Sequence, residues 1–153
     1  MKIVVDTNII FSALLNSNGA IGTLLFYSDP QFEFYSCAHM QTEIRRHWPK
    51  LLKISKLTDA DLNRAYEQVT LKIKFIQEEL IPEAVWADAE ALVMEIDPDD
   101  ADFVALANYL RGSLWTGDKV LYQGLRALGF QHIFTTSDLL DLRRQPRDEP
   151  DKP

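Results

Sequence analysis

The sequence predicts an α/β fold with a parallel sheet, and three observations support this prediction. The run Ile3, Val4 and Val5 near the N-terminus is β-branched, as expected of a strand buried on both faces. Short apolar runs of this kind recur along the chain between segments of helical periodicity. The length of 153 residues suits one domain with a substantial core. We expect the first run to form the central strand.

The composition predicts a globular protein without a membrane segment. Hydrophobic residues make up 46% and charged residues 25% of the chain, and no apolar run approaches the roughly 20 residues that a membrane span requires. The N-terminus lacks the pattern of a signal peptide. Cys37 is the single cysteine, which excludes an internal disulfide and a metal site based on paired cysteines. A cytoplasmic location is the expected one.

The net charge of −7 argues against a protein that holds nucleic acid through a broad basic face. It does not exclude a nuclease, because an acidic metal site contributes negative charges that divalent ions neutralise. The local distribution of charge therefore matters more than the total.

The first half of the chain contains two further predicted strands. After the first strand, periodicity predicts helices at residues 8–15 and 20–27, a strand at 32–35, and a helix containing residues 39–48 with Ser36 as its cap. The longest helix begins after Thr58, and its apolar stripe at spacings of three and four continues to Ile76. Leu71 and Phe75 leave apolar surface that a partner chain can cover. A third strand is predicted at residues 79–81.

The second half contains the remaining strands and ends in a charged tail. The predicted elements are a helix at 83–95, a helix that follows the acidic residues 97–102, a strand at 113–116, a helix at 120–128, a strand at 131–135 and a helix at 137–142. These boundaries give one domain over residues 1–142. Residues 143–153 have no apolar anchor and are predicted to be disordered.

Four acids occupy positions from which they can share one site. Asp6 and Asp118 each follow a buried strand directly, at the edge of a parallel sheet where ligands bind. Asp100 lies at the top of the buried face of the helix that follows the acidic residues 97–102. Glu43 lies beside the apolar stripe of the helix predicted to contain residues 39–48. Each has an ordinary alternative, because Asp6 can simply cap a helix and Glu43 can be a solvated surface residue.

Acids brought together in this way need a cation among them. Hard oxygen ligands favour Mg²⁺ or Mn²⁺ over zinc. Such a site can neutralise the developing charge of a phosphodiester and activate a water for in-line attack. The acids therefore predict phosphodiester hydrolysis.

A basic segment follows Glu43. Six basic residues and no acid occur before Asp59, and among them we select Arg45, Arg46 and Lys50 as candidate RNA-binding residues. The alternative, that this run is a solvated helix face, is the more common situation for charge runs.

The sequence resembles the PIN-domain ribonucleases over nearly its whole length. The resemblance rests on four stretches in order, namely Val4-Val5-Asp6-Thr7-Asn8, Glu43, Asp100-Ala101-Asp102-Phe103-Val104-Ala105-Leu106-Ala107 and Trp115-Thr116-Gly117-Asp118. It implies a three-layer α/β/α sandwich with a parallel sheet of four to five strands, and metal-dependent cleavage of RNA. It also implies that Asp6, Glu43, Asp100 and Asp118 bind the metal. Asp97 ranks second to Asp100 for its segment.

The same resemblance implies supporting residues and partners. Thr7, Asn8 and Thr116 would orient ligands or water. Many small members are VapC-like toxins that a cognate antitoxin neutralises, and many form homodimers. The expected partners are therefore an RNA substrate, an antitoxin and a second copy of the chain.

Other function classes fit the sequence less well. A phosphatase or phosphotransferase with Asp6 as the nucleophile would need a second Asp two residues later, and that position is Asn8. An inactive RNA-binding module is a second alternative, although all four acids are present. Cysteine catalysis has little basis, because Cys37 lies near His39 without an evident third group to orient them.

Overall fold

The computed structural model describes residues 1–145, in which five parallel strands form one sheet. The strand order is β3-β2-β1-β4-β5. The strands are β1 (Lys2–Val5), β2 (Glu33–Cys37), β3 (Ile73–Ile76), β4 (Ser113–Trp115) and β5 (Ile133–Phe134). The prediction that the first strand is central is confirmed. Val5 pairs with Trp115, so the carboxyl ends of β1 and β4 lie side by side.

Helices flank this sheet to give the three-layer α/β/α sandwich that was predicted. In residues 1–145 the α-helices are α1 (Thr7–Leu15), α2 (Ala20–Tyr27), α3 (Met40–Arg46), α4 (Trp48–Ser55), α5 (Asp59–Leu71), α6 (Glu83–Val93), α7 (Ala101–Leu110), α8 (Lys119–Ala127) and α9 (Thr136–Arg144). Two 3₁₀ helices, Glu78–Leu80 and Pro98–Asp100, precede α6 and α7.

Helix α7 is the helix that packs against the three central strands. It contacts β1, β2 and β4, and its side chains from Phe103 to Ala107 are buried. Burial of these side chains and of Ile3, Val4 and Val5 in β1 removes a continuous apolar surface from water, which stabilises the fold by roughly 25 cal/mol per Å². The packing fixes the start of α7, and with it Asp100, near the strand ends.

The third strand lies earlier in the chain than predicted. The stripe that was expected to continue the long helix ends with α5 at Leu71, and Ile73–Ile76 pairs with β2 instead. Spacings of three and four continue through this strand by coincidence, whereas its β-branched residues suit the sheet. Residues 79–81, predicted as a strand, overlap the 3₁₀ helix Glu78–Leu80.

The helix predicted to contain residues 39–48 is divided into α3 and α4 at His47. Pro49 lies in the first turn of α4, where its missing N–H costs nothing, whereas within a continuous helix its ring would clash with the preceding turn. The prediction that Ser36 caps this helix is wrong. Ser36 is buried in β2, and its hydroxyl donates to the Val5 carbonyl at 2.9 Å.

The last helix continues beyond the predicted domain boundary at residue 142. Thr135 and Asp138 form a capping box at the start of α9, and the helix includes Arg143 and Arg144. The first two residues of the predicted tail are therefore helical. The rest of that prediction, for residues 146–153, lies outside the described residues.

No single helix in residues 1–145 is both long and apolar enough to cross a membrane. Helices α1 and α2 meet a length and composition criterion only when taken together, and a bend of 101° separates them.

Candidate active site

Asp6 links the end of β1 to the start of α1, and the residue is only 4% exposed. Its Oδ1 accepts the backbone N–H of Ile9 at 3.0 Å, which makes Asp6 the N-cap of α1. Its Oδ2 accepts the hydroxyl of Thr116 at 2.6 Å. A carboxylate oxygen has two lone pairs, so these hydrogen bonds leave acceptor capacity for a ligand. Helix capping and ligand binding were alternative interpretations of Asp6 in the sequence analysis, and the structure shows that the two are compatible.

Thr116 connects the ends of β1 and β4 through one hydroxyl. While it donates to Asp6, its Oγ1 accepts the backbone N–H of Asp118 at 3.0 Å. Asp118 is itself the N-cap of α8, because its Oδ1 accepts the N–H groups of Val120 and Leu121 at 2.9 and 3.2 Å. The two acids that follow buried strands are therefore held by the same side chain.

Asp100 lies at the N-terminus of α7 and belongs to the same electrostatic cluster. Burial raises the pKa of Asp100 to about 7, and the charges of Asp97, Asp6, Asp118 and Asp99 contribute to the increase. Burial also raises the pKa of Asp6, as does Asp118, while hydrogen bonds from Thr116 and Ile9 lower it. Three of the predicted acids thus interact from three different segments.

Glu43 and Asp100 join Asp6 at one cavity of about 500 Å³. The residues that line this cavity are Asp6, Thr7, Asn8, His39, Glu43, Arg46, Asp99, Asp100 and Phe103. Asp118 and Thr116 line a neighbouring cavity of about 490 Å³. The structure therefore brings three of the four acids to one cavity, with the fourth adjacent through its link to Asp6.

Basic side chains orient Glu43 at the cavity wall. Arg46 Nη1 lies 2.8 Å from Glu43 Oε1, and His47 Nε2 lies 3.8 Å from Oε2. The Glu43 side chain is 31% exposed, so this ion pair is only partly shielded from water. The pair holds the carboxylate in place and brings one guanidinium to the cavity.

The structure separates the alternatives that the sequence left for residues 97–100. Asp97 Oδ1 accepts the Asp99 N–H at 3.0 Å and caps the 3₁₀ helix Pro98–Asp100. Asp99 and Asp100 line the cavity, whereas Asp97 is not among the lining residues. Asp97 acts on Asp100 through its charge.

The remaining candidate residues occupy different surroundings. Thr7 and Asn8 line the cavity, and the Thr7 hydroxyl donates to Met40 Sδ at 3.0 Å. The Arg45 guanidinium instead packs 4.2 Å from the Trp48 ring centre and 4.4 Å from that of Tyr66.

Among the three candidate RNA-binding residues, only Arg46 lines the cavity. Arg45 also donates to Asn63 Oδ1 at 2.9 Å, which fixes it against α5. Lys50 is exposed on α4.

The donor set of the acidic cavity fits a hard divalent cation. Neighbouring carboxylates raise the pKa of both Asp6 and Asp100, so a positive ion between them would relieve the repulsion. Oxygen donors are the ligands that Mg²⁺ and Mn²⁺ prefer.

A second cluster near the cavity was missed in the sequence. His39 Nδ1 lies 2.8 Å from Glu78 Oε1, and His39 Nε2 lies 3.0 Å from Asp102 Oδ2. Cys37 is adjacent, and its thiol is buried. The Cys37-Ala38-His39 spacing was a signal, but Glu78 and Asp102 come from distant segments, and the segment before Glu78 was predicted to be helical.

Comparison with known proteins is consistent with this architecture. The family model for the PIN domain matches residues 4–139, and PIN domains are generally nucleases. A search of curated proteins found no match. A solved structure, described as VapBC2 from Rickettsia felis bound to a DNA fragment from their promoter, matches with a TM-score of 0.65 and 11% identity. The match covers 88% of this chain and 98% of that chain, and it shows a shared fold. Because the family model covers most of the sequence, the chain belongs to the PIN domain family.

Proposed function

We propose that the protein is a metal-dependent ribonuclease that hydrolyses RNA phosphodiester bonds at the acidic cavity. The observation that carries this proposal is the assembly of Asp6, Asp100 and Asp118 near the strand ends, where the charges of Asp6 and Asp118 raise the pKa of Asp100 and the charge of Asp118 raises the pKa of Asp6. Acids gathered in this way are costly without a cation. Membership of the PIN domain family supports the same reaction class.

The residues of the chain have separate roles in this proposal. Asp6, Glu43, Asp100 and Asp118 would hold Mg²⁺ or Mn²⁺, with Asp97 raising the negative field around Asp100. The bound ion supplies charge neutralisation at the scissile phosphate and lowers the pKa of water. Thr116 orients Asp6 by donating to Oδ2.

Substrate phosphates would meet the cavity beside α3. Arg46 is positioned there by Glu43, and a guanidinium suits the geometry of a phosphate. Asn8 and Thr7 lie at the same wall and would orient water or ligands. Lys50, exposed on the following helix, would extend the positive charge along the RNA.

The geometry of Asp6 is less suited to a phosphatase nucleophile. Both carboxyl oxygens accept hydrogen bonds, and the residue is buried. These bonds suit a group that holds a ligand in a fixed orientation. We therefore retain the ribonuclease as the one proposed function.

The test is cleavage of a single-stranded RNA by purified protein in Mg²⁺ or Mn²⁺, compared with the same reaction in excess chelator. We expect Asp6→Asn and Asp100→Asn to abolish cleavage. Asp88→Asn is the matched control, because Asp88 is an exposed acid on α6 and does not line the cavity. Wild-type cleavage by the Asp6 variant would contradict the proposal, as would cleavage that persists in chelator.

We extend the proposal to a toxin of a toxin–antitoxin pair in the cytoplasm. The support is the fold shared with a chain in the VapBC2 structure, in which that complex is bound to promoter DNA. Expression should arrest growth, and Asp118→Asn should relieve the arrest while its side-chain oxygen still caps α8. Arrest by the Asp118 variant at equal protein level would contradict this role.

The same extension includes two protein partners, an antitoxin and a second copy of the chain. Leu71 supports a protein contact, because its side chain is 84% exposed on α5.

A further inference from the structure

The carboxyl ends of β2 and β3 carry a second cluster of side chains whose chemistry differs from that of the acidic cavity. Cys37 ends β2, His39 precedes α3, and Glu78 begins the 3₁₀ helix that follows β3. One possible ligand atom from each of these residues lies within 4.8 Å of the others. No three acids of the cavity meet this criterion in residues 1–145.

We infer that Cys37, His39 and Glu78 form a site for a transition-metal ion of the zinc class, which uses none of the four acids proposed to hold Mg²⁺ or Mn²⁺, although His39 also lines the acidic cavity. The ligands would be Cys37 Sγ, His39 Nδ1 and Glu78 Oε1. A set of one sulfur, one nitrogen and one oxygen is typical of Zn²⁺, and it differs from the all-oxygen set preferred by Mg²⁺.

The distances suit such an ion with small adjustments. Tetrahedral zinc with its usual bond lengths holds neighbouring ligand atoms about 3.3–3.6 Å apart. His39 Nδ1 and Glu78 Oε1 are 2.8 Å apart, so they would separate slightly. Cys37 Sγ lies within 4.8 Å of a His39 ring nitrogen and of a Glu78 carboxylate oxygen, and it would move closer to both residues.

Asp102 provides the orientation that a metal-binding histidine commonly has. Its Oδ2 lies 3.0 Å from His39 Nε2, the ring nitrogen opposite the proposed ligand atom. A histidine that binds a metal through one nitrogen usually donates its other N–H to a carboxylate or carbonyl, which fixes the tautomer and the ring orientation. Asp102 is therefore a positioning residue for the site.

The charges around Cys37 favour a cation over a bare thiolate. Burial raises the pKa of the thiol, and the Asp102 and Glu78 charges raise it further. The Cys37 thiol donates to the Asp102 carbonyl oxygen, with Sγ at 3.6 Å from it. Binding of the ion would displace the thiol proton and leave His39 Nδ1 unprotonated.

The ordinary alternative is that His39 bridges the carboxylates of Glu78 and Asp102 without any metal. Glu78 Oε1 also accepts the His39 backbone N–H at 2.7 Å, which stabilises the loop by itself. The two readings differ in whether Cys37 takes part. An experiment that observes the sulfur directly distinguishes them.

The experiment uses the full chain without a histidine tag, reduced and in excess Mg²⁺, titrated with Co²⁺ as a spectroscopic substitute for Zn²⁺. We expect one equivalent to produce a thiolate-to-cobalt charge-transfer band, which added Zn²⁺ removes. Because Cys37 is the single cysteine, the band reports this residue. Cys37→Ser should abolish it, and His39→Gln and Glu78→Gln should each weaken Co²⁺ binding strongly.

Matched variants separate this site from the other chemistry of the chain. Asp102→Asn should weaken Zn²⁺ binding about 10- to 100-fold, as loss of a supporting carboxylate usually does. His132→Gln removes an exposed histidine elsewhere and should leave the band unchanged. Asp6→Asn should abolish RNA cleavage but keep the band, so that the two proposals fail independently.

Two results would overturn the inference. One is the absence of a charge-transfer band in the folded wild-type protein. The other is a band that survives both His39→Gln and Glu78→Gln at wild-type affinity, which would identify adventitious binding to the thiol alone. The isosteric Glu78→Gln variant keeps an acceptor for the His39 backbone N–H, so its result does not depend on loss of the fold.

Discussion

At the scale of single residues, Thr116 determines how two of the acids are held. Its hydroxyl donates to Asp6 and accepts from the Asp118 backbone, and the residue is 1% exposed. Loss of the hydroxyl removes both hydrogen bonds at once. A hydrogen bond to a charged group contributes about 1.5–3 kcal/mol, and a buried group left without its partner is destabilising by a similar amount.

We therefore expect Thr116→Val to lower the free energy of unfolding by about 2 kcal/mol and to reduce RNA cleavage about 10- to 100-fold. Thr116→Ser keeps the hydroxyl and should retain most of both. Urea denaturation and initial cleavage rates measure the two effects. Equal activity of the Val and Ser variants would show that the hydroxyl does not orient the acids.

At the scale of secondary-structure elements, α3 directs the side chains of two consecutive arginines to different surroundings. Arg46 pairs with Glu43 at the cavity, while Arg45 packs on the rings of Trp48 and Tyr66 and so connects α3, α4 and α5. From the sequence alone, both arginines were predicted to bind RNA. Their different surroundings predict that they can be distinguished by substitution.

Arg45→Ala should lower the free energy of unfolding by about 1 kcal/mol, through lost cation–π contacts, with little effect on RNA affinity. Arg46→Ala should weaken RNA binding and reduce the magnitude of the slope of log affinity against log salt by about 0.7. Thermal denaturation and binding titrations at several salt concentrations test the pair. Interchanged effects would contradict the assignment of the two faces.

At the scale of the whole molecule, the acidic cluster makes stability depend on pH, and the proposed metal site predicts a dependence on divalent ions as well. The folded-state pKa of Asp100 is about 7, above its ordinary value of 3.8, so the folded protein holds this proton more tightly than the unfolded chain. Stability is then greatest below pH 4 with respect to this group and is lost as the pH rises towards 7. The raised pKa of Asp6 acts in the same direction.

Without divalent ions, we expect this contribution to lower the free energy of unfolding by about 1–2 kcal/mol between pH 4 and 8, after allowance for the partial exposure of Asp100. Asp100→Asn should remove most of that decrease. Mg²⁺ at 100 times its dissociation constant should stabilise the wild type at pH 8 by about 2.7 kcal/mol. A pH dependence that is identical in wild type and Asp100→Asn would contradict this account.

The sequence predicted the central strand and the position of the acids because both depend on local signals. The β-branched run before Asp6 and the acids after two short strands are visible without knowledge of the fold. The position of β3 could not be predicted from local signals, because Ile73 and Ile76 continue the periodicity of α5. These residues acquire their strand conformation by pairing with β2. The cluster around His39 was missed for a related reason, since Glu78 and Asp102 approach it only through the parallel topology.

The double use of Asp6 has an evolutionary consequence. Because this side chain also caps α1, a lineage that abandoned its chemistry would still be selected for a short side-chain acceptor at this position. Asparagine satisfies that requirement and is reached from aspartate by a single nucleotide change. A descendant with Asn at this position would keep the cap of α1, but its amide nitrogen could not accept the Thr116 hydroxyl that Asp6 Oδ2 accepts.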